Sequence, residues 1–309
     1  MRASAACQGI VTTSGYSGHV LIIFNPVAGA GRRRRLARAL AWLRARDQRH
    51  DVAETRAPGD AEALARDAAR RGVGVVVAAG GDGTIAEVAG GLAGSASRLG
   101  ILPLGTANVL AWELGVPAAP ERAAEILAAG RCAPLWPGVA QLANGRARLF
   151  VQMLGAGFDA AVVARLDPAL KRRVGRAAYV WQSLREMPRY GFAPLTVQVD
   201  GIAHGAASVI VSKGRLYAGR YRIAPGAQPG EPGFQVVIFR RPGALQAALA
   251  GAALPLGLIP RLPGVEIMPA WRVLLSARGD VPAQADGDAI GSLPIGIADA
   301  PCPLRVLLP

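Results

Sequence analysis

Between residues 75 and 94 the chain reads VVVAAGGDGTIAEVAGGLAG. A β-branched run gives way to Gly80, Gly81, Asp82, Gly83 and Thr84, and then a helical pattern begins. A glycine-rich turn at the carboxyl end of a buried strand, opening a helix, lets backbone N–H groups approach a phosphate and aims the positive end of the helix dipole at it. Asp82 is the odd member of the set. A carboxylate beside a phosphate repels it unless a cation lies between them or the acid takes a proton from an attacking hydroxyl. The residue types therefore ask for Mg²⁺ or for acid–base work. Thr84 is placed to cap the helix and to bond a phosphate oxygen.

Two further loops share this character. Asn25, Pro26, Gly29 and Gly31 follow the apolar run HVLIIF, and Gly105, Thr106 and Asn108 follow RLGILPL. In an open parallel sheet, ligands collect outside the carboxyl ends of the strands, so three such loops converge on one nucleotide pocket. Arg32 to Arg35 open the helix after the first loop. They read either as a solvated helix face or as a set in which one member reaches a nucleotide phosphate and others meet anionic lipid.

The elements that must hold these loops follow from periodicity. HVLIIF, a weaker run near HDVAETR, VGVVVAA and RLGILPL read as strands. The helical patterns RRRRLARALAWLRARD and AEALARDAARRG alternate with them, the second with Asp60 as its N-cap. Fully apolar strands of this kind belong in a doubly wound parallel sheet with helices on both faces. From about residue 133 the rhythm changes to short alternating runs with Asn144-Gly145 and Asp200-Gly201 at hairpin tips, which predicts a mainly antiparallel β domain. A helical insertion spans 160–187. The expected division is a loose tail over 1–18, an α/β nucleotide-binding domain over 19–132, a β-rich sandwich domain over 133–296, and a terminal segment over 297–309 that packs back on the first domain.

Composition narrows the function classes. The chain has 309 residues, 51% hydrophobic and 18% charged, which excludes disorder. Its formal charge of +14 attracts nucleic acid, anionic headgroups or phosphorylated small molecules. Aromatic residues are only 5% and no zinc-finger, homeodomain or RNA-binding signature occurs, so no specific nucleic-acid partner is expected. Cys7, Cys132 and Cys302 are few and far apart, which suits a reducing cytosol better than a disulfide framework. His19, His50 and His204 stand apart from any nucleophile, which argues against a hydrolase triad. The uncharged stretch from Pro242 to Pro260 is broken by Pro255 and Gly257. It reads as a short helix, for core packing or shallow membrane contact, and not as a span.

FNPVAGAG, GGDGT and PLGTAN, in this order and spacing, resemble the diacylglycerol kinase catalytic family, which includes sphingosine, ceramide and bacterial lipid kinases. MLGAGFDAAVV, LKRRVGRAAYV, VIVSKGRLYAGRYRIAPGA and QADGDAIGSLP continue the resemblance to the end of the chain. It implies ATP bound between two domains, Mg²⁺, and a lipid hydroxyl as phosphate acceptor. The expected enzyme is a cytoplasmic lipid kinase, peripheral at the inner membrane face, with an anionic membrane surface as partner and a homodimer as a further expectation. The family's general base matches Asp288, where most members have Glu, so Asp288 and Asp82 are the candidate catalytic acids, with roles that can be exchanged. Phe158, Asp159, Lys171, Arg172 and Asp286 are candidates on the lipid side. Many members carry Asp where this chain has Val109, and some carry an Asp-Gly magnesium site where it has Glu231-Pro232-Gly233. An NAD kinase, which shares the GGDGT loop, and a non-catalytic binding homologue are the competing readings.

Overall fold

A computed structural model describes residues 19–27, 31–129, 131–167, 169–170 and 175–309. The tail over 1–18, Gly29, Lys171 and Arg172 lie outside the described residues. The chain divides into two compact units, one running to Trp136 and including Ala300–Pro309, the other Pro137–Asp299.

The first unit is built on a six-stranded sheet in the order His50–Glu54, Val20–Phe24, Val75–Gly80, Arg98–Pro103, Leu304–Leu307 and Cys132–Leu135. The first five run parallel and the last pairs antiparallel. Every residue of Val20–Phe24 and Val75–Gly80 is buried, which is why neither strand shows alternation: helices cover both faces. His50–Glu54 is the weak run because it is an edge strand, with Asp51, Val52 and Glu54 exposed. Five helices follow the strands: α1 Arg32–Arg44, α2 Asp60–Arg70, α3 Asp82–Leu92, α4 Val109–Glu113 and α5 Pro120–Ala129.

The expected cap of α2 is corrected. Gly59 holds the cap position, and the Asp60 carboxylate turns back to accept the amides of Arg56 and Ala57. The amides of Gly59 and Ala61 are taken instead by Glu87 of the neighbouring α3, a partner 26 to 28 residues away.

The second unit is a sandwich of two antiparallel sheets. One orders Ile202–Ala206, Leu195–Val199, Arg272–Ala277, Ile295–Asp299, Gly138–Leu142 and Ala147–Phe150. The other orders Val265–Ala270, Phe234–Phe239, Ser208–Ser212, Met153–Gly157, Pro282–Ala285 and Asp288–Ser292. Alternate residues of both sheets form one core, among them Val197, Leu275 and Ile297 from the first and Leu154, Val209 and Val236 from the second. The Asp200-Gly201 tip takes positive φ at both residues, the backbone that a two-residue hairpin requires. Among the described residues, the α-helices α6 Phe158–Ala164, α7 Arg176–Glu186 and α8 Ala244–Ala253 belong to this unit. Of the cysteines within the described residues, Cys132 is free and exposed while Cys302 is disulfide-bonded, a departure from the thiol reading of the sequence.

Candidate functional site

Neighbouring strands Val20–Phe24, Val75–Gly80 and Arg98–Pro103 end at one edge of the parallel sheet, with Phe24 beside Ala79 and Gly80 beside Pro103 in register. Their three loops are knitted together. Asn25 Nδ2 donates to Thr84 Oγ1 at 3.1 Å, and the amides of Leu104 and Gly105 donate to the Gly80 carbonyl at 2.8 and 3.0 Å. A side chain on Gly80 would collide with that of Thr84, and one on Gly105 would meet the Gly81 Cα at 2.4 Å. The glycines thus permit loop-to-loop contact as well as a bare backbone.

Asp82 opens α3, and its Oδ1 accepts the Val109 amide at the start of α4 at 2.6 Å. Its carboxylate serves as a cap in trans, tying the second loop to the third. Burial pushes its pKa up, and amides at the start of α4 offset part of that. Thr84, expected to cap α3, does not: Gly81 holds the cap position, no side chain caps the helix, and the Thr84 hydroxyl is turned to Asn25. The first turn of α3 therefore keeps backbone donors for an anion. Asn108, at φ 48°, donates to the Gly105 carbonyl at 2.8 Å, while its buried Oδ1 has no partner among the described residues. Pro26 is half-buried in the first loop, Thr106 is exposed on the third, and Gly31 holds the cap of α1 at φ 84°.

The structure sorts the four consecutive arginines. Arg33 pairs with Glu54, Arg35 donates to the carbonyls of Pro103 and Ala118, and Arg34 is exposed. Arg32 is only 7% exposed, sits over Gly81, and donates to the Asn25 carbonyl at 3.4 Å. Among the described residues no carboxylate pairs with it. Burial and the neighbouring Arg35 hold its pKa down at about 10. A buried cation at a helix N-terminus, where the dipole also opposes it, is an arrangement that an anion relieves. Arg32→Met is expected to raise the nucleotide Kd roughly thirtyfold, the worth of one charge-assisted hydrogen bond, without lowering the unfolding temperature of the nucleotide-free protein. Calorimetric titration and a thermal melt check the two halves.

In the second unit, Asp286 and Gly287 form the tip between Pro282–Ala285 and Asp288–Ser292, both at positive φ. Asp286 is no simple surface turn residue. It is buried, and its carboxylate accepts the amides of Val151, Gln152 and Met153 at 2.7, 2.9 and 2.9 Å. Asp288 stays accessible, with Oδ2 accepting from Arg148 Nη2 at 3.2 Å. Behind the tip runs a polar chain. Gln284 Oε1 accepts the Gly287 amide, Gln284 Nε2 donates to Asp159, and the Tyr217 hydroxyl donates to the other oxygen of Asp159. Burial pushes the Asp159 carboxyl up and the Tyr217 hydroxyl well up. Phe158 stacks on Phe192 at 5.5 Å and meets Tyr190 edge-on at 5.9 Å. Arg148, Tyr217 and Gln284 were not singled out from sequence; of the three, Tyr217 and Gln284 lie inside the quoted motifs but carry no spacing signal of their own.

Comparison with known proteins bears on both units. Residues 19–138 match the family described as diacylglycerol kinase catalytic domain, and 152–308 match the YegS C-terminal NAD kinase beta sandwich-like domain. A Pseudomonas putida protein named "Probable lipid kinase YegS-like" is 32% identical over 244 residues, covering 76% of this chain and 79% of its own. The chain belongs to the diacylglycerol kinase catalytic family. A "Diacylglycerol kinase" of Mycobacterium tuberculosis is 29% identical to this lipid kinase over 94% of the chain and 96% of its own length. A solved Bacillus anthracis structure shares the fold, with a TM-score of 0.77 at 21% identity, covering 96% of this kinase and 99% of that chain.

The kinase's residues bear differently on two metal positions. Beside the phosphate loops, Asp82 is one carboxylate, which suits a cation that arrives with its phosphates. At Glu231-Pro232-Gly233 the residues do not fit a divalent ion. The buried Lys213 ammonium already takes the Glu231 carbonyl at 3.1 Å, the Gly233 carbonyl at 2.7 Å and Asp299 Oδ1 at 2.7 Å, with the Phe234 ring against it. Among the described residues no three acidic, histidine or cysteine side chains cluster for a metal. Chelating divalent ions is therefore expected to leave the unfolding temperature unchanged. Lys213→Ala is expected to lower stability by about 3 kcal/mol by stranding Asp299, as a denaturant titration would show.

Proposed function

We propose that this kinase transfers the γ-phosphate of ATP to the hydroxyl of a lipid alcohol, diacylglycerol or a similar molecule. The observation that carries the reading is the meeting of three glycine-bearing loops, an uncapped helix start and the buried, acid-free Arg32 at one edge of the parallel sheet. That assembly is complementary to a polyphosphate.

Phosphoryl transfer demands alignment and neutralisation of charge more than covalent work. The amides opening α3, the bare backbone at Gly81 and Gly105, and Arg32 hold the phosphates. Asp82 would hold the Mg²⁺ that accompanies ATP, which would supply neutralisation of the phosphate charge. Asp288, steadied by Arg148, takes the proton of the lipid hydroxyl as its oxygen bonds to the γ-phosphorus and the bond to ADP breaks. Asp286 and the Gln284–Asp159–Tyr217 chain hold the hairpin that carries Asp288. If ATP is the donor, its supply favours the cytoplasmic side, and a lipid acceptor would be met at a membrane surface. No helix among the described residues is long and apolar enough to cross a membrane.

The description of the second domain as NAD kinase-like keeps one competing acceptor in view. Incubating the purified protein with ATP, Mg²⁺, NAD and a mixed pool of lipid alcohols, then reading products by mass spectrometry, separates them. A phosphorylated lipid is expected; phosphorylated NAD alone overturns the reading.

A further inference from the structure

The side chain of Lys213 is fully buried, a costly place for a point charge unless its surroundings are built to hold one. An ammonium has three protons and no acceptor, and three oxygens meet it here: the carbonyls of Glu231 and Gly233, and Asp299 Oδ1. The Phe234 ring lies under the charge, with its centroid 4.7 Å from Nζ. A neutral amine has two protons, so only the charged form satisfies all three oxygens. Burial pulls the Lys213 pKa down, and the Asp299 carboxylate works against that pull.

These groups come from both sheets of the sandwich. Lys213 follows the strand Ser208–Ser212, and Glu231 and Gly233 lie in the loop that enters its partner Phe234–Phe239. Asp299 ends Ile295–Asp299, which belongs to the other sheet. The loop is bound to that aspartate a second time, because Asp299 Oδ2 accepts the Gly233 amide at 2.6 Å. One carboxylate and two backbone carbonyls around a single positive centre make the oxygen donor set by which proteins hold hard cations. The aromatic ring on a further side is a neighbour that suits an ammonium and not a metal ion.

We propose that Lys213 is the resident cation of this site: its tethered ammonium does the work of a bound metal ion, pinning the loop before Phe234 to the opposite sheet, and the same oxygens become a divalent-cation site once the ammonium is removed. The second unit thereby carries its own charge and its cohesion needs no divalent ion. Any Mg²⁺ requirement of phosphate transfer would then trace to the ion that accompanies the nucleotide. That last consequence rests on the kinase reading; the cage does not.

The test compares the full-length parent with Lys213→Ala, which empties the cage, and Lys213→Met, which removes the charge and keeps most of the stem. Unfolding temperatures are measured in EDTA and in about 10 mM CaCl2, above the range of about 10⁻⁴–10⁻³ M at which weak protein sites bind Ca²⁺. Ca²⁺ is the probe because it tolerates a variable number of oxygen ligands and takes waters to complete its shell. The parent is expected to melt at one temperature in both solutions. In EDTA both variants are expected to melt about 6 °C or more below it, the shift that goes with an uncompensated buried carboxylate. Ca²⁺ is expected to restore about 3 °C or more to Lys213→Ala and nothing to Lys213→Met, whose side chain still fills the space. Adding Asp299→Asn to Lys213→Ala is expected to abolish the rescue.

A Lys213→Met protein that melts with the parent overturns the proposal, because packing of the stem would then suffice without charge. So does a Lys213→Ala protein indifferent to Ca²⁺, or a rescue that survives Asp299→Asn. Should Lys213→Ala not fold in EDTA, recovery on refolding with Ca²⁺ supports the proposal and no recovery overturns it.

Discussion

Asp288→Ala is expected to slow phosphate transfer by about 10²- to 10⁴-fold, the range that loss of a general base produces, with little change in the unfolding temperature. The side chain is 46% exposed and its hydrogen bond runs to Arg148, so its removal costs about 1 kcal/mol of stability at most. Asp286→Ala, two residues away, is expected to fail in the opposite manner. It removes the acceptor of the Val151, Gln152 and Met153 amides, a loss of about 3 kcal/mol or more. Steady-state kinetics paired with denaturant titration distinguishes them. An Asp288→Ala enzyme within threefold or so of the parent rate points to another base, and the buried Asp159, whose carboxyl is pushed up, is the next candidate.

Gly105→Ala is expected to cost about 100-fold or more in nucleotide affinity and about 1–3 kcal/mol in stability. The added methyl would lie 2.4 Å from the Gly81 Cα and 2.5 Å from Asn108 Oδ1. The nearest obstacle is backbone, so the loops must separate, and the amides proposed to hold the phosphates separate with them. Gly31→Ala is the informative contrast. Among the described residues its methyl meets nothing within 4 Å, so the left-handed backbone at φ 84° adds strain of about 1 kcal/mol without a collision there. Nucleotide titration of both variants shows whether loop approach, and not glycine content, governs binding.

Much of this arrangement was legible in the residues. Val20–Phe24 and Val75–Gly80 lack alternation because both faces are buried, and that pattern is local. The Asp200-Gly201 tip was legible for the same reason, since the turn type is written in two adjacent residues. What depended on distant partners was not. Asp60 and Thr84 have the chemistry of caps, yet Glu87 serves α2 and Thr84 is engaged by Asn25, contacts that sequence distance hides. Four identical arginines take separate roles because Glu54, the Pro103 carbonyl and Gly81 happen to face different ones. Asp82 looked free to meet a cation, and it also holds the start of α4. α7 turns Gln182 and Glu186 inward because Glu186 meets Arg165, a partner 21 residues away that the helix's own sequence does not reveal.

Hydrogen exchange of backbone amides, with and without saturating ATP and Mg²⁺, tests the nucleotide assignment most directly. Slower exchange is expected at Gly83, Thr84 and the residues from Gly105 to Asn108, where the loops leave the sheet, and the effect should shrink in Arg32→Met. Binding that stabilises the protein to heat while leaving those amides unchanged would contradict a polyphosphate seated at that edge.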